Sequence, residues 1–116
     1  MGGKKKTTPK TYQVRLSLNA LQNIDEITGY IAFINQQPLT AAKVGDSVFK
    51  TIDRIANNPF AFRECEEIRT KTKMYRRAVC LSWFIIYRVK TNEITILGII
   101  HQSRRPSGRG KLRKIK

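Results

Sequence analysis

Apolar positions along the chain change period about two-thirds of the way through it. Residues 12–16, Tyr-Gln-Val-Arg-Leu, alternate and predict a short strand. Leu21, Ile24, Ile27, Ile31 and Ile34 then recur at spacings of three and four, which places them on one helical face. Ser17 and Asn19 are candidate N-caps of this helix. Asp25 and Glu26 fall early in it, where the helix dipole favours acids, and Gln36-Gln37-Pro38 ends it. Ala41, Val44, Val48, Ile52 and Ile55 mark the apolar face of a second helix, closed by Asn57-Asn58-Pro59. Two helices joined by a short Pro-containing turn predict an antiparallel hairpin.

Residues 59–73 have no period and cluster the acids Glu64, Glu66 and Glu67. Beyond them the pattern is that of strands. Residues 82–89 are dominated by aromatic and β-branched side chains, with Trp83, Ile85 and Tyr87 on one face as candidate core. Lys90-Thr91-Asn92-Glu93 predicts a hairpin turn. Residues 94–100 are apolar on both faces, as a strand covered on both sides would be. The expected architecture is α+β, in the order β-α-α-β-β-β: a helical hairpin packed on a small, mainly antiparallel sheet.

A length of 116 residues allows one domain. No stretch approaches the ~20 apolar residues of a membrane span, and the N-terminal residues lack the apolar core of a secretory signal. A cytoplasmic protein is the expectation, with Cys65 and Cys80 as reduced thiols. One His and two separated Cys give no metal-ligand spacing, and the glycines form no phosphate loop. No cofactor is expected. The net charge of +15 points to an acidic or polyanionic partner. Most of it lies at the ends: Lys4, Lys5, Lys6 and Lys10 on one side, and seven cations from Arg104 onward on the other. The organisation expected is a basic tail over residues 1–10, a domain over 11–105 and a second basic tail over 106–116.

The ordered set of elements and motifs resembles the RelE/ParE superfamily of type II toxin–antitoxin toxins. The residues that carry the resemblance are Ile24-Asp25-Glu26-Ile27 with Tyr30-Ile31, Ile52-Asp53-Arg54-Ile55 with Asn58-Pro59, and Tyr75-Arg76-Arg77. Phe84-Ile85-Ile86-Tyr87-Arg88-Val89 and Ile99-Ile100-His101 with arginines after it complete the set. The resemblance implies a toxin neutralised by a cognate antitoxin, whose toxin-binding segment should be acidic and should dock on the helical hairpin and the exposed sheet edge. It also implies one of two activities. RelE-like toxins cut mRNA in the ribosomal A site, and ParE-like toxins inhibit DNA gyrase.

RNA cleavage needs groups that move protons and cations that hold the phosphate. The candidates are Arg76, His101, Arg104 and Arg105, with Arg76, Arg77, Arg104 and Arg105 as contacts to a phosphate or a target. His101 is the one histidine and the side chain suited to proton transfer near neutral pH. Ala78 and Cys80 follow Arg76 on one strand face and carry no charge, and Phe84 stands where RelE-like enzymes have an arginine. The resemblance is therefore closer on the ParE-like side, which needs a binding surface and no catalytic groups. Two other readings stand beside this one. Arg76 and Arg77 pair with Glu64, Glu66 or Glu67, and the basic C-terminus touches nucleic acid without specificity.

Overall fold

The computed structural model describes residues 12–65 and 68–104. Both basic tails, Arg105, Glu66 and Glu67 lie outside the described residues. Strand β1 (Gln13–Leu16) leads into helix α1 (Leu18–Gly29), which continues as a π-helical segment, Tyr30–Ile34. Helix α2 (Pro38–Asn57) follows, then a 3-10 turn (Pro59–Ala61) and a two-residue strand β2 (Arg63–Glu64). Strands β3 (Tyr75–Cys80), β4 (Trp83–Lys90) and β5 (Glu93–His101) complete the sheet, and a 3-10 turn, Gln102–Arg104, follows β5. The strand order is β1-β5-β4-β3-β2, with β1 parallel to β5 and the other pairs antiparallel.

The element order is as expected with one correction: the irregular segment 59–73 contains the strand β2. Two residues are too short for any period to register. A second correction concerns the stripe on α1. Ile24, Ile27 and Ile31 are partly buried, but Leu21 and Ile34 are exposed, and Ala20 takes the innermost place at 0%. Ile34 closes the π-helical segment, whose wider turn sets it off the 3.6-residue face. On α2 the expected face is buried in full: Ala41, Val44, Val48, Ile52 and Ile55. The first helical run ends at Ile34, and Pro38 occupies the first position of α2, where its missing N–H costs nothing.

Both helices cover one face of the sheet. Between them lie Ala78 and Cys80 from β3, Ile85 and Tyr87 from β4, and Ile94, Ile96 and Ile99 from β5. A second cluster lies across the sheet, where Cys65 and Ile68 pack on Tyr75, Phe84, Ile86 and Leu97. Each fully buried Ile is worth roughly 1.5–3 kcal/mol of transfer free energy. Cys65 and Cys80 are both buried and not joined in a disulfide, and they belong to clusters on opposite faces.

A bulge links α1 to β5. The register of β4 with β5 shifts between Ile86 and Tyr87, so Leu97 has no cross-strand partner. The start of α1 takes up the polar groups this frees. Ser17 Oγ accepts the Ala20 N–H as N-cap, and donates to the Leu97 carbonyl at 3.0 Å. Asn19 Nδ2 donates to the same carbonyl at 3.0 Å, and Asn23 Oδ1 accepts the Ile99 N–H at 2.9 Å. Ser17 is thus the N-cap expected, while Asn19 serves the bulge.

Candidate functional site

The two-residue turn Leu81–Ser82 sets β3 against β4 so that Cys80 faces Trp83, Arg77 faces Ile86 and Tyr75 faces Arg88. Residues that face each other across a pair share a side of the sheet. Arg76, Ala78 and Cys80 therefore point to the helix side. Tyr75, Arg77 and Val79 point to the other side, called here the open face, together with Phe84, Ile86 and Arg88.

On the helix side, Arg76 is a clamp. Its Nε donates to the Lys73 carbonyl at 3.1 Å and one terminal nitrogen donates to the Phe62 carbonyl at 2.9 Å. The guanidinium lies 5.0 Å from the centre of the Phe60 ring. Arg76 thus ties the chain after α2 to the start of β3. Its neighbours on that side, Ala78 at 0% and Cys80 at 4% exposure, are core. Arg76→Met removes the two charged donors while keeping the stem, and should cost roughly 1–3 kcal/mol, toward the low end because the group is partly exposed. A lower midpoint in thermal denaturation checks it.

On the open face, Arg77 is 9% exposed and its guanidinium sits 4.5 Å over the Phe84 ring. Across β2 it faces Arg63. Arg88 shares this face, and its Nε is buried with no hydrogen-bond partner. Arg15 lies toward the other edge, where its Nε meets Glu93 at 3.2 Å. The Arg15 side chain is 70% exposed and that of Glu93 40%, so solvent screens the pair and it adds little stability.

His101 ends β5 opposite Trp83, on the helix side. Its ring stands edge-on to that of Trp83, with centroids 5.5 Å apart. Nδ1 accepts the Ser103 N–H at 3.1 Å and lies 2.7 Å from Ser103 Oγ. An Nδ1 that accepts a backbone N–H leaves the ring proton on Nε2. Arg104 ends the last 3-10 turn. Its side chain, like Arg105, lies outside the described residues.

The candidate residues thus separate rather than converge. Arg76 and His101 lie on the helix side, and Arg77 lies on the open face. The open face also holds Arg63 and Arg88, which the sequence reading did not single out. The signal was present in part: a two-residue turn after Cys80 pairs Arg88 with Tyr75 and puts it in step with Arg77. Among the described residues, no group of three His, Cys, Asp or Glu is placed to hold a metal ion. No helix among them is long and apolar enough to cross a membrane.

The hairpin offers a second surface. Leu21, Gln22, Ile24, Asp25, Thr28 and Phe49 line an open groove of about 360 Å³ between the helices. Tyr30, Phe33, Ile34 and Leu39 stand exposed at the hairpin tip. A cluster of large apolar side chains in water marks a surface that meets another protein.

Residues 14–106 match the family model described as the ParE toxin of type II toxin–antitoxin system, parDE. No curated protein matches the chain. Solved structures that share the fold include the two that follow. One is the chromosomal ParDE toxin–antitoxin system from P. aeruginosa, with a TM-score of 0.61 at 18% identity, covering 79% of this chain and 97% of that one. The other is the toxin–antitoxin complex RelBE2 from Mycobacterium tuberculosis, with a TM-score of 0.52 at 17% identity, covering 78% of this chain and 91% of that one.

Proposed function

The chain belongs to the ParE toxin family of type II toxin–antitoxin systems, and from that premise we propose that it arrests growth by binding DNA gyrase or a similar protein target. The observation that supports binding over catalysis is the division of the polar groups between the two faces. His101 is committed to Ser103 and Trp83 on the helix side, while Arg77 and Arg88 lie on the open face. A proton-transfer group and a phosphate clamp must reach the same few ångströms; of the candidate cations with described side chains, Arg76 alone shares the helix side with His101, and its guanidinium is taken up by the Lys73 and Phe62 carbonyls. In a supercoiling assay the purified toxin should inhibit gyrase. Growth arrest with supercoiling untouched would overturn the reading.

One observation favours the endonuclease alternative. Phe84 stands at the position where RelE-like enzymes have an arginine, and Arg77 brings a guanidinium to 4.5 Å from its ring. A cation borrowed from the neighbouring strand could hold a phosphate there. Toeprinting on translating ribosomes decides between the two. Cuts in the A site that disappear in Arg77→Gln support the enzyme, and an uncut message supports the binding toxin.

The partner proposed in either case is a cognate antitoxin with an acidic segment, encoded beside the toxin and acting with it in the cytoplasm. The groove at Leu21 and Phe49 is suited to an apolar helix face. Co-expression with the neighbouring small acidic protein should restore growth and yield a co-purifying complex.

A further inference from the structure

The pairing of β2 with β3 sets two like charges against each other. Arg63 is the direct partner of Arg77, so both side chains leave the same face of the sheet, and like charges in that relation destabilise it. Arg77 is nine-tenths buried and held against Phe84, so it cannot swing away as a surface arginine would. On the same face Arg88 keeps a buried Nε–H without an acceptor. A buried donor with no partner carries a desolvation cost that an anion would relieve.

The described part of the chain offers this face little negative charge. Glu93 lies toward the opposite edge and is engaged by Arg15 at 3.2 Å. The sequence from Arg104 onward carries seven cations and no acid, and the two acids nearest in sequence to this face, Glu66 and Glu67, lie outside the described residues.

We infer that Arg63 and Arg77, backed by Phe84, form a carboxylate-binding site that receives an Asp or Glu side chain from the antitoxin's toxin-binding segment. The inference rests on the antitoxin reading above and names the anchor within it. A guanidinium stacked on a ring presents its N–H edge as a planar fork, which a carboxylate meets with two parallel hydrogen bonds. The surroundings favour a polypeptide over a nucleic acid. Val79 and Leu81, both 57% exposed, continue from Phe84 as apolar surface. That surface suits an apolar residue flanking the acid, and gives a sugar-phosphate chain nothing to bond. The site also leaves the hairpin groove free for the remainder of the segment.

The test uses the full-length toxin, the co-purifying antitoxin as probe in titration calorimetry, and a 12-nucleotide single-stranded RNA as competitor. Arg63→Gln should weaken antitoxin binding about tenfold, and Arg63→Glu about a hundredfold, in the range found for truncated charge pairs. Arg77→Lys keeps the charge but loses the fork and should weaken it about tenfold. Arg63 is exposed, so its variants should fold. Arg63→Glu should also raise the thermal midpoint of the free toxin by about 2 °C, because it converts a repulsive pair into an attractive one. A purely structural role would not move stability up and affinity down together. Equal affinities across the variants overturn the site, as does a midpoint that fails to rise, since the chain itself would then already neutralise Arg77. Loss of RNA binding with antitoxin binding intact overturns the site in favour of a nucleic-acid contact. A wild-type toxin that ignores the antitoxin overturns the antitoxin reading itself.

Discussion

Ala78→Lys should leave no folded toxin, while Val79→Lys, one residue along, should change stability by no more than about 0.5 kcal/mol. Ala78 is 0% exposed and lies beneath the helices among Ile85, Ile55 and Val48. An ammonium there has no partner and no water, and its burial costs several kcal/mol. That is comparable with the whole stability of a small domain, about 5–15 kcal/mol. Val79 is 57% exposed on the opposite face. Soluble yield and the far-ultraviolet circular dichroism melt of the two variants read the difference. A well-folded Ala78→Lys would mean that β3 presents its other face to the helices. The comparison also bears on activity: Ala78 is core, so its lack of charge says nothing about a missing active site.

Tyr87 should show the largest loss from a single truncation. It is 0% exposed in the centre of β4, and its ring meets that of Phe62 edge-on at 6.4 Å. Its hydroxyl donates to the Pro59 carbonyl at 2.6 Å, which ties the turn after α2 down onto the sheet. Tyr87→Ala removes the ring and leaves a cavity, at a cost of about 3–5 kcal/mol. Tyr87→Phe keeps the ring but strips the Pro59 carbonyl of its donor, at about 1–3 kcal/mol. Denaturant midpoints should therefore fall in the order wild type, Phe, Ala, and a Phe variant as stable as wild type would discount the Pro59 bond. Alkali provides an independent check. Burial pushes the Tyr87 phenol far above its usual range, and the nearby Arg76 charge opposes this to a lesser degree. The native state therefore keeps its proton when the unfolded chain, titrating near ~10, has lost it. The contribution is fully present below about pH 10 and is lost as pH rises further. Tyr87→Phe should lose less stability than wild type over that alkaline range.

The legibility of this chain varied element by element. The face of α2 was legible in full, because a 20-residue helix repeats its period often enough to fix the inward side. On α1 the π-helical segment broke the period at Ile34, which lies in water, while Leu21, ahead of that segment, lies half-exposed in the groove beside Phe49. In β4 the alternation of Trp83, Ile85 and Tyr87 marked the helix side as expected. The site was harder to see. Arg76 and Arg77 look alike as adjacent letters, yet one holds carbonyls at a chain crossing while the other lies against Phe84 on the far face. The bulge at Leu97 also escaped notice, since an extra residue in an apolar run leaves the run unchanged in composition.

The sequence by itself determined the kinds of element, their order and the family, because these rest on local periods, caps and turns that each segment carries within itself. Which side of each strand meets the helices was decided by the tertiary structure. A strand's two faces differ only by parity, and register with its neighbours, together with the layer that packs on them, selects the buried one. That choice buried Ala78, made Arg76 a clamp, and gathered Arg63, Arg77 and Arg88 on the open face. The placement of these cations follows from that parity.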